Sequence, residues 1–235
     1  MDTAERANFP ADPAQGYFLT SRASPGFSMA LNHRFCGPHD VGGAWCPNCK
    51  KPLLRFFALD TRDNRINVQE TRVPTLSLFF CWTCNVAQET FFYRDLGDAI
   101  EIIQCGQGGV EAGFPYEDYP TFFPGSAAVL EMITAEEQAV VSRLNSRFET
   151  NEPASKILGQ RHHLWNVRHQ VGGEPFLTQG LAVLVCPDCG TDMPFLASVA
   201  NDCLDPRGLV GDDTVQVLYY FCRKCRVVGV YQMAD

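Results

Sequence analysis

The chain has 235 residues, 46% of them hydrophobic, and carries a net charge of −8. This composition excludes an intrinsically disordered protein, and no apolar run approaches the roughly 20 residues that cross a bilayer. The acidic balance disfavours general binding to a phosphate backbone. The first residues contain no basic stretch followed by an apolar one, so we expect no secretory signal and a cytoplasmic location. In that reducing compartment, the eleven cysteines are better explained as metal ligands than as disulfide partners.

Residues 1–32 are rich in Ala, Pro, Ser and Gly and show little periodicity, which predicts an irregular N-terminal arm. The first segment, 33–105, contains HDVGG at 39–43, followed by the Cys-x-x-Cys knuckle CPNC at 46–49. An apolar run and then an aromatic run lead into a second knuckle, CWTC at 81–84. Short apolar and aromatic runs of this kind predict strands.

The connector, 106–160, lies within the acidic part of the chain. Residues 94–153 contain 11 acidic and 3 basic residues, which predicts either a solvated surface or a face that steers a basic partner. Its first part alternates prolines with aromatic residues and predicts either a wrap over the core or an exposed partner-binding loop. The aromatic residues are Phe114, Tyr116, Tyr119, Phe122 and Phe123.

One helix is predicted over about 134–149 in the connector. Thr134 and Glu137 have the spacing of a capping box, with Thr134 as the N-cap. Pro153 prevents continuation of the helix, so we expect a joint near 150–160. The apolar face is formed by Val140, Val141, Leu144 and Phe148.

The second segment, 161–235, repeats the order of motifs in the first. HQVGG at 169–173 precedes the knuckle CPDC at 186–189, and an aromatic run leads into CRKC at 222–225. The spacings are C-x2-C-x31-C-x2-C in the first segment and C-x2-C-x32-C-x2-C in the second. This agreement predicts two copies of one structural unit.

Two structural zinc sites are predicted from these knuckles. Two thiolates from each Cys-x-x-Cys complete a tetrahedral Cys₄ shell, which leaves no open position for catalysis. A thioredoxin-like redox pair is disfavoured because the first knuckle is followed by a strand-like run rather than a helix. A zinc deaminase is disfavoured because the sequence contains no His-x-Glu. The predicted ligands are Cys46, Cys49, Cys81, Cys84, Cys186, Cys189, Cys222 and Cys225.

The two His-x-x-Gly-Gly motifs carry no catalytic partner in the sequence. The glycine pairs predict positive-φ turns or a close approach between backbones. His39 and His169 occupy the same place in the two motifs and either cap these turns or contact a partner. Cys36, Cys105 and Cys203 have no partner at knuckle spacing and are expected to be structural thiols.

The repeated pattern resembles two related families over residues 33–105 and 161–235. The Gly-Gly and paired knuckles around an apolar strand resemble the programmed cell death protein 2 family, and HDVGG and HQVGG resemble the YwqG-like family of bacteria. Both families commonly place Gln after the strand, where this chain has Ala58 and Ser198. The resemblance implies protein binding, as a chaperone for a basic ribosomal protein in the first family. Members of the second are of unknown activity, and some are suspected immunity proteins.

We therefore expect a β-rich α+β protein with two duplicated lobes, each a small antiparallel sheet with one Cys₄ zinc site. The expected function is non-enzymatic binding of another protein, as a chaperone-like or immunity-like partner. Nucleic-acid binding through the basic cluster Arg223, Lys224 and Arg226 is one alternative. An enzyme acting between the lobes through His39 or His169 is the other.

Overall fold

A computed structural model describes residues 15–20, 31–66, 68, 73–81, 90–105, 121–160, 169–177, 183–200 and 215–234. Most of the regular secondary structure in these residues is antiparallel sheet. The strands are β1 (Gly16–Thr20), β2 (Arg34–Phe35), β3 (Leu54–Asp60), β4 (Thr75–Phe80), β5 (Phe91–Asp95), β6 (Ile100–Gln104), β7 (Ser126–Ala127), β8 (Val129–Met132), β9 (Gln170–Gly172), β10 (Phe195–Ala200), β11 (Val215–Cys222) and β12 (Val227–Ala234). The helices are α1 (Ala135–Thr150) and α2 (Ala154–Leu158).

The described strands form two sheets. The larger has eight strands in the order β6-β5-β12-β11-β10-β9-β1-β8, and the smaller has four in the order β4-β3-β2-β7. Strands β9 to β12 follow each other as an antiparallel meander. Strand β12 then pairs with β5, where Val228 lies opposite Tyr93, so strands of the first and second segments share one sheet.

The main core contains side chains from both sheets. Phe57 and Leu78 of the smaller sheet belong to the same buried cluster as Val217 and Tyr219 of the larger one. The fully buried Tyr93 hydroxyl accepts a hydrogen bond from the Phe79 backbone at 3.1 Å and donates to Ser77 O at 3.0 Å. The hydroxyl therefore satisfies the hydrogen bonding of two backbone groups on β4, on the edge where no described strand pairs with β4.

Helix α1 packs near the last residue of β10 in the larger sheet. Its apolar face packs with α2 and with Ala200 of β10. Thr134 is the N-cap, and the reciprocal bonds of a capping box join Thr134 and Glu137. The helix ends where Asn151 adopts a left-handed backbone, two residues before Pro153. Neither described helix has the length and apolar character needed to cross a membrane.

The prediction of a β-rich α+β fold with one main helix is confirmed. Two finer expectations are wrong. Residues 16–20 belong to no irregular arm: they form β1 inside the larger sheet, where Leu19 is buried. The two segments also do not form separate small sheets. β5 and β6 of the first segment belong to the larger sheet with β9 to β12 of the second segment, and not to the smaller sheet with β3 and β4.

Candidate metal centres

Four cysteine sulfurs of the second segment lie together. The Sγ atoms of Cys186, Cys189, Cys222 and Cys225 are all within 4.8 Å of one another. The distance between Cys189 Sγ and Cys222 Sγ is 3.7 Å. A tetrahedral Zn–S shell with bonds of about 2.3 Å requires sulfurs about 3.8 Å apart. The donor set and spacing therefore fit one zinc ion with four thiolate ligands.

The first knuckle of this cluster is a tight turn closed by backbone hydrogen bonds. Cys186 N donates to Thr191 O and Gly190 N donates to Cys186 O, both at 2.9 Å. Gly190 has a φ of 70°, which turns the chain back after Cys189. The second knuckle lies at the turn between β11 and β12. The first knuckle precedes β10, so the pairing of β10 with β11 brings the two knuckles together.

Three cysteines of the first segment form an equivalent cluster. The Sγ atoms of Cys46, Cys49 and Cys81 lie within 4.8 Å of one another, and Cys49 Sγ is 3.7 Å from Cys81 Sγ. The fourth predicted ligand, Cys84, lies outside the described residues. The three described thiols have the positions that three vertices of a tetrahedral site require.

The turn at Cys46–Cys49 repeats the hydrogen bonds of the turn at Cys186–Cys189. Cys46 N donates to Lys51 O at 2.9 Å, and Lys50 N donates to Cys46 O at 3.0 Å. Lys50 has a φ of 61° where the other turn has a glycine. Two such short sequences adopt the same local geometry because both need to aim two sulfurs at one point.

The four-thiol cluster of the second segment resists full ionisation without a cation. Burial and then neighbouring thiols raise the pKa of Cys225 to about 12, and burial also raises the pKa of Cys186. The Thr191 hydroxyl lowers the pKa of Cys189 to about 6. In the other cluster, the hydrogen bond with Cys81 lowers the pKa of Cys46 to about 5. A bound divalent cation would supply the positive charge that lets the remaining thiols become thiolates.

The hydrogen bonds match His169 with His33 and not with His39. Nδ1 of His33 accepts from Asp60 N at 3.1 Å, and Nδ1 of His169 accepts from Ala200 N at 3.4 Å. The two acceptors therefore have the same relation to β3 and to β10, at the end of each strand. The sequence match between His39 and His169 does not hold in the structure, because His39 bonds Leu53 O, before β3 begins, and not the backbone at the end of β3.

Backbone conformation supports the same correction. Cys36 and Gly37, after His33, have φ values of 53° and 96°, and Gly172 and Gly173 have values of 66° and 65°. The structural counterpart of HQVGG is therefore HRFCG at 33–37. The prediction of positive-φ glycines holds for both members of the HQVGG pair.

Neither histidine proposed as a partner contact lies fully on the surface. His169 is only 3% exposed, and its ring packs against Phe35 and Phe57. His39 is half-buried, and its Nε2 donates to Leu53 O at 2.7 Å. Burial corrects the expectation for His169, which acts as a core residue, and the turn-capping role fits His39 better than partner contact.

The aromatic loop is described only at its end. Phe114, Tyr116 and Tyr119 lie outside the described residues. Phe122 is 45% exposed, whereas Phe123 packs against Phe56 with ring centroids 5.9 Å apart. Phe123 therefore packs on the core, as a wrapping loop would, and Phe122 is exposed enough to contact a partner.

Two of the remaining cysteines are described. Cys36 is fully buried in the main core. Cys105 is half-buried and accepts a hydrogen bond from Asn48 Nδ2 at 3.6 Å, which places it beside the first metal turn. Among the described residues, neither belongs to a group of side chains placed to hold a metal ion. Cys203 lies outside the described residues.

A buried polar network around His33 is absent from the sequence predictions. His33 Nδ1 accepts a backbone hydrogen, so its Nε2–H donates to Asp63 Oδ2 at 2.8 Å. Burial alone would raise the pKa of Asp63, but bonds from His33 and Arg65 outweigh it and hold the pKa well below its usual value. Short-range charge alternation in DTRDNR at 60–65 is the only signal of this network in the sequence.

The basic cluster on the last knuckle is partly neutralised. Arg226 Nη2 donates to Asp95 Oδ2 at 2.7 Å, and Arg226 Nε donates to Asp95 O at 3.0 Å. Arg94 Nη2 donates to Asp188 Oδ2 at 2.6 Å, and Arg94 Nη1 donates to Glu101. These pairs join the second metal cluster to the β5–β6 hairpin.

No protein-family model matches the sequence, and no curated protein matches it significantly. The resemblance to the programmed cell death protein 2 and YwqG-like families therefore stays a prediction.

Proposed function

We propose that the chain is a zinc-stabilised scaffold that binds another protein and is not an enzyme. In this proposal the two segments descend from one duplicated unit, and each metal ion is structural. Closed four-sulfur coordination supports this role, because a catalytic zinc keeps a position open for water or substrate. A structural zinc of this kind contributes about 10–16 kcal/mol of binding free energy to folding.

An exposed apolar residue at the same place in both metal turns carries the proposal. Trp45 and Val185 each precede the first ligand of a knuckle and pair across the turn, with Pro52 and Asp192. Their exposed fractions are 57% and 49%. Single exposed apolar residues are ordinary, but a matched pair on two metal-stiffened turns offers preorganised contacts to a protein surface.

Nucleic-acid binding is the weaker alternative. Of the three basic residues on the last knuckle, Arg226 is held by Asp95. The first knuckle presents Trp45 beside Lys50 and Lys51, whereas the second has Val185 beside Gly190 and Thr191. The net charge of −8 also disfavours binding to a phosphate backbone.

The proposal is tested by affinity capture with the zinc-loaded protein as bait. We expect a protein partner in stoichiometric amount, lost when Trp45→Ala or Val185→Ser is the bait. Met132→Ala is the matched control, because Met132 is 64% exposed on β8 at the opposite edge of the larger sheet from β6. Equal capture by all three variants, or recovery of nucleic acid that salt releases, would contradict the proposal.

A further inference from the structure

We infer that the two metal centres are thermodynamically coupled, so that metal bound at one raises the affinity of the other, with the β5–β6 hairpin as the connecting element. This inference rests on the proposed metal sites but goes beyond them. It assigns to the hairpin a role that neither the cysteine spacing nor the family resemblance suggests.

The second metal centre contacts the hairpin through both of its knuckles. Asp188, between the ligands of one knuckle, accepts from Arg94 at 2.6 Å. Arg226, directly after the last ligand of the other knuckle, holds the side chain and backbone of Asp95. Asp95 N donates in return to Arg226 O at 3.0 Å. Two consecutive hairpin residues therefore bind both halves of this centre.

The first metal centre contacts the same hairpin at its turn and beyond its last strand. Gly42, which leads into the first knuckle, donates from N to Asp98 O at 2.8 Å and accepts from Ile100 N at 2.7 Å. Asn48 Nδ2, between the ligands of that knuckle, donates to Cys105 Sγ. Asn48 and Asp188 occupy the same place in their knuckles, and both side chains reach the hairpin or the residue that follows it.

The hairpin is consequently ordered by both centres at once. Loss of metal at one centre releases the turn that fixes Arg94 and Asp95, or the turn that fixes Asp98 and Ile100. The conformational entropy of ordering the hairpin is then paid only once when both metals bind. A second ligand that binds to an already ordered element gains affinity, which is positive coupling.

Native mass spectrometry of the full chain with one equivalent of Zn²⁺ tests the coupling. Independent equal sites leave about half of the chains with one zinc, and unequal independent sites leave more, whereas coupling of about 5-fold lowers that fraction to about 30%. We expect the wild type to fall below half. In Arg94→Gln/Arg226→Gln, we expect the singly loaded fraction to rise to half or above.

Lys224→Gln is the control, because Lys224 is an exposed basic residue of the same knuckle. It should leave the wild-type distribution unchanged. Equal distributions in the wild type and the double variant would overturn the coupling while leaving the metal sites intact. Fewer than two zinc ions per chain at saturation would instead overturn the proposed sites themselves.

If the double variant does not fold, the coupling is tested by comparing hydrogen exchange of the wild type with that of Cys49→Ser. Chains with a Cys49→Ser change, which removes a ligand of the first centre only, should exchange faster at residues 186–190. Unchanged protection there, with the first zinc lost, would also overturn the coupling.

Discussion

Each metal turn requires one residue with a left-handed backbone directly after its second cysteine. Gly190 meets this requirement without strain, whereas Lys50 adopts it with a side chain, at a cost of about 1–2 kcal/mol. Because position 50 is a lysine, the first turn lacks the glycine that would indicate a left-handed backbone from the sequence. The first turn is nevertheless closed by the same hydrogen bonds, so the two turns share one conformation despite this difference.

Two glycine substitutions separate backbone strain from steric clash. Gly190→Ala should lower the free energy of unfolding by about 1–2 kcal/mol, because its φ is positive but no atom lies within 4 Å of an added Cβ. Gly43→Ala should cost clearly more, because its Cβ would lie 2.2 Å from Ile100 O. Urea unfolding of the zinc-loaded variants measures both. Equal losses would show that the approach of residue 43 to β6 is not required.

At the level of elements, helix α1 organises the chain that follows β9. Asn145 Oδ1 accepts from Leu177 N at 3.0 Å, and its Nδ2 donates to Pro175 O at 2.8 Å. Gln138 Nε2 donates to Glu174 O at 2.9 Å. The helix thus satisfies backbone groups of residues 174–177, which pair with no strand in the described residues, while Val140 and Leu144 pack on the core.

Thr134→Ala should weaken this element. The Thr134 side chain accepts from Glu137 N, and its loss leaves a helix N-terminal N–H without that partner. We expect a loss of about 1 kcal/mol in the free energy of unfolding, measured by urea denaturation with far-UV circular dichroism. Thr150→Ala, at the exposed other end of the helix, should change it by less than about 0.5 kcal/mol. A larger effect at Thr150 than at Thr134 would rule out the capping box as a main source of helix stability.

At the scale of the whole molecule, the two segments share one sheet and one core. β5 pairs with β12, and the main buried cluster contains residues of both segments. Unfolding of one segment would expose the core of the other. We therefore expect loss of metal to affect the entire chain and not one lobe.

Cysteine substitutions followed by metal counting test which cysteines bind each zinc ion. The wild type should hold two zinc ions by elemental analysis, and Cys49→Ser or Cys189→Ser should each lose one. Cys105→Ser should keep both, since Cys105 lies outside the ligand clusters. Cys84→Ser should lose one if Cys84 completes the first site.

The pH dependence of zinc binding follows from the same ligands. Thiols with raised pKa values, such as Cys225 at about 12, lose protons when metal binds, so zinc binding should release protons. Affinity should accordingly fall as the pH falls. Zinc loading that acid does not change would contradict thiolate ligation. Two zinc ions retained by Cys189→Ser would contradict the assignment of Cys189 as a ligand.

Much of the candidate site was predictable from sequence. Cysteine spacing identified all seven described members of the two sulfur clusters, because a Cys-x-x-Cys knuckle is a local turn and paired strands bring two knuckles together. The capping box identified α1 within one residue for the same reason, since its hydrogen bonds join neighbours in sequence. The apolar and aromatic runs of the first segment predicted β3 and β4, and the aromatic run before CRKC predicted β11.

Which strands pair, and which histidine is equivalent to His169, was decided only by the tertiary structure. Short motifs such as HDVGG match by chance, whereas the true counterpart, at His33, is recognised by the strand-end backbone that it accepts from. Likewise, nothing in the sequence of β5 indicates that it pairs with β12 and not with β4. Sequence determines local turns and ligand sets because their partners are near in the chain, but strand partners are selected by burial of shared apolar surface across the whole molecule.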